Sequence, residues 1–203
     1  MALSKTDIAN QALGRIGAQR IMDLDDQDSK SARICKNAFE ATVREVGRAA
    51  EWNCLKDRDT LGRLTTAPKF GWTYQYQLPT NFLRMLKLNG TKADNDPGDA
   101  FEVEGRKLLT DSEEANVSFI AYKEDTNEYD ALFTNAVVVL LASKIAVSLR
   151  QDGAEMAQAL MTEYQRVALP QARTKDGAER KRERYDLASE SRFVASRFYS
   201  TNG

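Results

Sequence analysis

Apolar and polar residues in the first 52 positions alternate with the period of an α-helix. Ser4, followed three residues later by Asp7, predicts a capping box that begins a short first helix. After an acidic, turn-like segment, Asp28 or Ser29 is placed to cap a second helix that runs to about Trp52. Its predicted buried face consists of Ala32, Cys35, Ala38, Phe39, Thr42, Val43 and Val46.

Beyond Trp52 the apolar period changes from that of a helix to that of a strand, and turn residues become frequent. The predicted strands are Leu55 to Leu64, Trp72 to Leu78, Met85 to Leu88, Phe101 to Val103, Lys107 to Leu109 and Val117 to Tyr122. The tripeptide EGR at Glu104 to Arg106 is predicted to turn one hairpin. This pattern predicts a compact β lobe between two helical halves.

Two further helices are predicted after the lobe. Asp125 with Glu128 suggests a second capping box, and the long helix that follows is apolar on nearly all sides near its middle, so other elements must surround it. Gly153 then breaks the chain, and a fourth helix is expected to end at about Pro170. Its predicted stripe consists of Met156, Ala159, Leu160, Glu163, Tyr164 and Val167.

The pattern as a whole predicts an α+β, mainly α fold. Residues 1–52 and 127–172 form a four-helix bundle, and residues 53–126 form a small antiparallel β lobe inserted between helices 2 and 3. Residues 173–203 form an extended C-terminal docking arm. From Arg173 to Arg184 this arm has six basic and three acidic residues, and aromatic side chains return near its end.

Composition excludes several kinds of site. The chain has no histidine, which excludes His-based zinc sites, Ser-His-Asp triads and Cys-His pairs, and it has no glycine-rich phosphate loop. Cys35 and Cys54 are predicted to be two buried thiols, and no cofactor or metal is predicted. No run of about 18 apolar residues occurs and the N-terminus does not resemble a secretion signal, so we expect a cytosolic globular protein and no membrane contact.

The formal net charge of -1 conceals a division within the lobe. Residues 53 to 93 hold seven Lys or Arg and two Asp, whereas residues 94 to 130 hold twelve Asp or Glu and three Lys or Arg. One side of the lobe should therefore be strongly negative, and such a surface repels nucleic acid at close range.

The stretch FGWTYQYQLP places Trp72, Tyr74, Tyr76 and Leu78 on one face of a strand. These side chains are candidates for a base-stacking surface, a ligand wall or the covered face of a small sheet. Base stacking needs aromatic rings in a positive groove, whereas this strand adjoins the acidic half of the lobe. We therefore expect the four side chains to be buried under the lobe or against the helices.

Several segments follow one another in a characteristic order: LGRIG in the first helix, an acidic turn, a long helix ending at EWNC, and FGWTYQYQLP followed by NFLRML. A β lobe, a long apolar helix and a polar tail come next. In this order and length they resemble the head-to-tail adaptor family of tailed bacteriophages, also called tail tubular protein A. Asn81 stands where such sequences often have Asp, and Asn caps the same kind of turn.

The resemblance implies a structural virion protein of the capsid-tail junction, made in the host bacterial cytoplasm, and not an enzyme. Family members form a homo-oligomeric ring of about twelve copies beneath the portal protein, and a tail or nozzle protein binds below. Genomic DNA passes through the ring without specific binding. The implied portal contacts are Arg180, Lys181, Arg182, Arg184, Arg192, Phe193, Phe198 and Tyr199. The acidic residues expected to line the channel are Asp94, Asp96, Asp99, Glu102 and Glu104.

Readings from other classes remain open. A nucleic-acid-binding protein would use the basic arm and would bind duplex DNA in a salt-sensitive manner. A wall-degrading tail component would use Glu102 and Glu104 as a glycosidase pair. The alternating carboxylates of the acidic turn suggest calcium, but the segment lacks the Gly and terminal Glu of a calcium loop, which favours helix capping. These carboxylates belong to Asp23, Asp25, Asp26 and Asp28.

Overall fold

The computed structural model describes residues 3–92 and 100–178, and this part of the chain is an α+β fold with four helices and two small antiparallel sheets. The helices are α1 (Lys5–Arg15), α2 (Lys30–Ala49), α3 (Ala131–Leu149) and α4 (Gly153–Glu163), which continues through a π-helical turn (Tyr164–Ala168) into α5 (Leu169–Ala178). The strands are β1 (Lys56–Thr60), β2 (Tyr74–Gln77), β3 (Phe82–Leu88), β4 (Thr91–Lys92), β5 (Phe101–Glu104), β6 (Lys107–Thr110) and β7 (Asn116–Ala121). The α+β class and the predicted position of the strands between two pairs of helices are confirmed.

The starts of the first two helices agree with their sequence signals. Ser4 and Asp7 form the predicted capping box: the Ser4 hydroxyl accepts the Asp7 N–H, and the Asp7 carboxylate accepts the Ser4 N–H. Of the two candidates for the second helix, Ser29 is the cap, and its hydroxyl accepts the Ala32 N–H. These caps need only residues that lie within one helical turn of each other.

The predicted capping box at the start of α3 is wrong. Asp125 begins a separate 3-10 turn, and Asp130 is the residue that caps α3, accepting the N–H groups of Leu132 and Phe133 at 2.7 Å each. Tyr129 between the two caps is extended because its ring packs edge-on against Phe133 and its hydroxyl donates to a backbone carbonyl. The helix therefore begins after Asp130, with Tyr129 held in an extended conformation before it.

Helix α3 lies in the centre of the helical layer, as its apolar sequence predicts. It contacts α1, α2 and α4, and its residues 136–142 are all buried. By length and composition α3 also satisfies the criteria for a membrane-crossing helix, but 67% of its most apolar window is covered by the rest of the protein, as in the core helix of a globular fold. Near its start, the Phe133 ring packs edge-on against Trp52 with the ring centroids 5.0 Å apart.

Helix α2 ends at Ala49, earlier than predicted, because the chain turns back on itself. Ala50 is extended, and the buried indole of Trp52 donates to the Val46 carbonyl at 2.6 Å. That carbonyl belongs to the last turn of α2 and has no partner within the helix. The sequence pattern predicts that Trp52 is the last residue of this helix. In the structure Trp52 lies beyond the helix, and its side chain caps the last turn.

The fourth helix does not end at Pro170 but continues to Ala178. A π-helical turn directly precedes the proline, and in it the Leu169 N–H bonds to the carbonyl of Tyr164, five residues earlier. Proline normally breaks a helix because it lacks an N–H and its ring clashes with the preceding turn, and the wider π turn accommodates it. Residues 173–178 of the predicted arm are therefore helical, and the rest of the arm lies outside the described residues.

The two sheets share one hydrophobic core and together form the lobe. Their strand orders are β1-β7-β3-β4 and β2-β6-β5, and all neighbouring strands are antiparallel. The hairpin between β5 and β6 turns through Gly105, whose φ of 58° suits the first position of a two-residue turn. The buried residues between the sheets are Leu61, Tyr76, Leu78, Leu88, Leu108, Ala115, Val117, Phe119 and Ala121.

Strands β3 and β7 of the four-stranded sheet contribute residues to both hydrophobic cores. Phe119 of β7 packs into the lobe core, whereas its neighbour Ile120 packs into the helical core together with Leu83 of β3. Strand β3 begins at Phe82, three residues before the predicted start, and its register shifts at two points along β7. These bulges spoil the simple alternation of its side chains, which is why FLRML is difficult to recognise as a strand.

The aromatic strand is only partly buried as predicted. Tyr76 and Leu78 are 1% and 2% exposed and belong to the lobe core, whereas Trp72 and Tyr74 are half-buried at its margin. The Tyr76 hydroxyl donates to the backbone carbonyls of residues 112 and 113. The main role of this strand is therefore to close the lobe.

Candidate assembly surfaces

Most of the residues predicted to contact a partner lie outside the described residues. This holds for all eight implied portal contacts, Arg180, Lys181, Arg182, Arg184, Arg192, Phe193, Phe198 and Tyr199, and for the acidic residues Asp94, Asp96 and Asp99. Glu102 and Glu104 are the two predicted site residues whose surroundings the structure shows.

Glu102 and Glu104 lie on β5, an outer strand of the three-stranded sheet, opposite Leu109 and Lys107 of β6. Both carboxylates are exposed, and one oxygen of Glu102 accepts the indole N–H of Trp72 at 3.2 Å. Their spacing puts them on the same face of the strand. This position gives the lobe an acidic margin, whereas the acid of a glycosidase is held in an apolar pocket.

The two cysteines occur as thiols in the structure. Cys35 is fully buried, and this burial raises its pKa to about 11, so the thiolate that a nucleophile requires is strongly disfavoured. Cys54 is half-buried and not fully buried as predicted. The part of the chain that the structure describes contains no group of three or more residues placed to hold a metal ion.

Two carboxylates of the acidic turn accept hydrogen bonds from backbone N–H groups of the same turn. Asp23 accepts the N–H of Asp25, and Asp26 accepts the N–H of Asp28, both at 3.0 Å. Asp25 also pairs with Lys36 of α2 at 2.8 Å, and this partner lowers the pKa of Asp25. The alternation of acidic residues therefore shapes the loop that leads into α2.

An exposed aromatic side chain projects from the loop before β2. Residues 65–73, which we call the lobe tip, carry Phe70 with 86% of its surface exposed, beside the exposed Lys69. Both ends of this loop are held in place. On one side the Gln75 amide donates to the Thr66 carbonyl at 2.5 Å, and on the other the Thr73 N–H and hydroxyl donate to one oxygen of Asp111 at 2.8 and 2.7 Å.

A groove of about 500 Å³ follows one side of α4. We call it the α4 groove, and its lining residues are Asp152, Glu155, Met156, Ala159, Leu160 and Glu163. Two of its three carboxylates are paired: Asp152 with Arg150 at 2.7 Å, and Glu163 with Arg15 of α1 at 2.8 Å. Glu155 is exposed and forms no ion pair with any described residue.

Sequence reasoning missed both of these surfaces. The stripe that predicts the fourth helix is only partly buried: Leu160 and Tyr164 are buried, whereas Ala159 is exposed and Val167 is 45% exposed. One available signal for the lobe tip is the tetrapeptide PKFG, in which Phe70 lies between turn-forming residues instead of within a strand.

The chain matches no protein-family model, and no curated protein is significantly similar to it.

Proposed function

We propose that this protein is a structural head-to-tail adaptor of a tailed bacteriophage. About twelve copies form a ring beneath the portal protein, extend the DNA channel and present a tail or nozzle protein with their lower surface. In this proposal the four helices form a bundle that packs around the ring, and the residues that follow α5 form the arm that reaches the portal. The protein is then a virion component with no catalytic role.

One observation carries the proposal. The sequence motifs that resemble the adaptor family contain residues that end a helix or lie in the hydrophobic cores of this structure. In LGRIG, Gly17 has a φ of 65° and ends α1. In EWNC, Trp52 is fully buried against Phe133. In the aromatic strand, Tyr76 and Leu78 are core residues of the lobe. A chance similarity between unrelated chains would not be concentrated at residues that end helices or fill the core.

The charge of the lobe also suits a conduit for DNA. Glu102 and Glu104 are exposed and lie within the acidic half of the lobe, which has twelve carboxylates against three basic residues between positions 94 and 130. A wall of carboxylates repels phosphates, so DNA passes through such a channel without being held. A regulator that binds DNA needs the opposite charge on its binding face.

The proposal is tested by the mass of the full-length protein, measured by sedimentation velocity, alone and after mixing with purified portal rings of the phage that encodes it. We expect a species of about twelve copies bound to each portal ring. A chain that remains monomeric at all concentrations and never associates with the portal would contradict the proposal. Tight, salt-sensitive binding of duplex DNA by the isolated chain would support a nucleic-acid-binding protein instead.

The arm is tested separately by deleting residues 180–203. We expect this deletion to leave the free energy of unfolding unchanged and to abolish attachment to portal-bearing heads. A matched control is the full-length chain with Arg58→Gln, which removes an exposed basic residue of β1 and leaves the arm intact. Attachment of the deleted chain at the wild-type level would show that the arm is not the portal contact.

A further inference from the structure

The lobe tip exposes an aromatic side chain that is not part of either hydrophobic core. Phe70 is 86% exposed although the loop that carries it is tied to the lobe by Gln75 on one side and by Asp111 on the other. Preordered aromatic side chains lose little conformational entropy on binding and are frequent anchors of protein interfaces. The exposed neighbour of Phe70 is the cation of Lys69.

Lys69 is the one charged residue of the lobe tip itself, and the carboxylates beside the tip hold its loop through hydrogen bonds. The carboxylate of Asp111 accepts two hydrogen bonds from Thr73, and the carboxylate of Glu102 accepts the indole N–H of Trp72. Arg63, at the base of the tip, lies over the ring of Tyr74 with its guanidinium carbon 5.1 Å from the ring centre. The tip therefore presents an apolar ring beside a positive charge.

The α4 groove has the complementary character. Its apolar lining comes from Met156, Ala159 and Leu160, and a groove of about 500 Å³ has room for an aromatic ring. At its margin Asp152 and Glu163 are neutralised by arginines of the same chain, whereas Glu155 forms no ion pair within the described residues. The groove therefore offers an apolar floor beside one uncompensated carboxylate.

We propose that the lobe tip of one copy docks in the α4 groove of a second copy, with Phe70 on the apolar lining and Lys69 beside Glu155. This inference rests on the proposed ring and deepens it, since it names the two faces that meet. The tip belongs to the lobe and the groove to the helical layer, so the two faces differ and the contact is heterologous. A heterologous contact repeats from copy to copy and closes into a ring when the rotation allows it.

The size of the contact suggests when it forms. One aromatic side chain buries about 150–250 Å², far less than the roughly 1,200 Å² of the smallest stable interfaces, so a tip in a groove does not hold two free copies together tightly. Closure of the ring or attachment to a common partner makes each such contact intramolecular and therefore stronger. Dilute chains are accordingly expected to be monomeric, and concentrated chains to associate weakly.

The first test mixes two full-length variants, each lacking one face. The tip variant carries Lys69→Glu and Phe70→Ser, and the groove variant carries Ala159→Arg, which fills the groove from an exposed helical position. Each variant alone should associate at least tenfold more weakly than the wild-type chain. Because each retains the face that the other lacks, a 1:1 mixture should form dimers and nothing larger. Wild-type association by either variant alone, or a mixture that remains monomeric while the wild-type chain associates, would overturn the inference.

Matched controls separate this contact from general effects of charge and hydrophobicity. Met22→Ser removes another highly exposed apolar side chain, and Gln158→Arg adds a positive charge to an exposed position of α4 outside the groove. Both controls should associate like the wild-type chain. All variants should retain the wild-type circular dichroism spectrum and unfolding midpoint, since every substituted side chain is exposed.

The second test applies to rings assembled on the portal. A photoreactive benzoylphenylalanine at position 70 should cross-link to residues 155–163 of another copy. Rings that form normally but give no such cross-link would overturn this inference and leave the proposed function intact. A cross-link to the portal or a tail protein would identify a different partner for the lobe tip and would also overturn it. Failure of the wild-type chain to form any ring would count against the proposed function itself.

Discussion

The side-chain amide of Asn10 binds both backbone groups of Ile21. The amide nitrogen donates to the Ile21 carbonyl at 2.9 Å, and the Ile21 N–H donates to the amide oxygen at 2.8 Å. Asn10 is a buried residue of α1, and Ile21 lies in the loop that follows the helix. The amide thus provides the paired hydrogen bonds that a neighbouring strand would provide, and it holds the loop against the helix.

We expect Asn10→Asp to lower the free energy of unfolding by about 1–3 kcal/mol, because the carboxylate cannot donate to the Ile21 carbonyl and leaves it unsatisfied. Urea unfolding monitored by tryptophan fluorescence measures the change. The control is Gln11→Glu, which makes the same chemical change at the neighbouring exposed position and should stay within about 0.5 kcal/mol of the wild-type value. Equal effects of the two variants would show that net charge is responsible and not the amide.

Gly153 permits the close turn between α3 and α4. A Cβ at this position would lie 2.3 Å from the Ala146 carbonyl oxygen and 2.7 Å from the Val147 Cα, and these backbone atoms cannot move aside without disturbing α3. We expect Gly153→Ala to cost about 1–3 kcal/mol or more. At Gly14, within α1, a Cβ would meet no atom within 4 Å, so Gly14→Ala should instead stabilise the protein by about 0.5–1 kcal/mol. Thermal unfolding of both variants checks the opposite signs.

The hydroxyl of Tyr164 is buried and has no hydrogen-bond partner among the residues that the structure describes. We expect Tyr164→Phe to raise the free energy of unfolding by about 1 kcal/mol, because the variant no longer buries an unsatisfied polar group. The matched control is Tyr129→Phe, which removes a hydroxyl that donates to the Lys123 carbonyl at 2.7 Å and should destabilise the protein by a similar amount. Destabilisation by both substitutions would indicate that the Tyr164 hydroxyl has a partner.

The same tyrosine predicts how stability changes in alkali. Burial raises the pKa of Tyr164 to about 12 from an ordinary value near 10, with Glu45 adding to this effect and Arg173 opposing it. Because the folded pKa is the higher one, the stabilising effect is complete below pH 10 and is lost as the pH rises towards 12. The free energy of unfolding should therefore fall over this range, and it should fall less in Tyr164→Phe. A loss of equal size in both proteins would exclude Tyr164 as a cause.

The two cysteines should differ in their reactivity towards a thiol reagent such as Ellman's reagent. Burial raises the pKa of Cys35 to about 11, and its side chain is inaccessible, so Cys35 should react only when the protein opens. Cys54 is half-buried and should react faster. The rates are measured separately in Cys54→Ser and Cys35→Ala. Rapid modification of Cys35 in the folded Cys54→Ser variant would contradict its burial.

The acidic margin of β5 should keep DNA from binding the assembled ring. We expect Glu102→Lys with Glu104→Lys to convert a ring that does not bind duplex DNA into one that does, with an affinity that falls steeply as salt increases. The control is Glu113→Lys with Glu114→Lys, which makes the same change of charge at two other exposed positions of the lobe. If both pairs promote binding equally, net charge explains the result and the β5 margin does not face the DNA.

Several features of the protein were determined by short stretches of sequence. The capping box of Ser4 and Asp7, the cap at Ser29 and the turn at Gly105 each depend on residues close to one another along the chain. The central position of α3 could also be predicted, because a helix that is apolar on all sides is stable only when other elements surround it. The α+β class and the placement of the lobe between helices could be predicted because the spacing of apolar residues changes from that of a helix to that of a strand beyond Trp52.

Other features were decided by how the chain packs in three dimensions. The indole of Trp52 ends α2, the π turn carries the fourth helix past Pro170, and bulges along β7 extend β3 back to Phe82. The lobe tip and the α4 groove likewise exist because packing left one aromatic side chain exposed and part of one helical stripe uncovered. Local preferences amount to less than about 1 kcal/mol per residue for most residue types, so burial and hydrogen bonding across the fold outweigh them wherever the two compete.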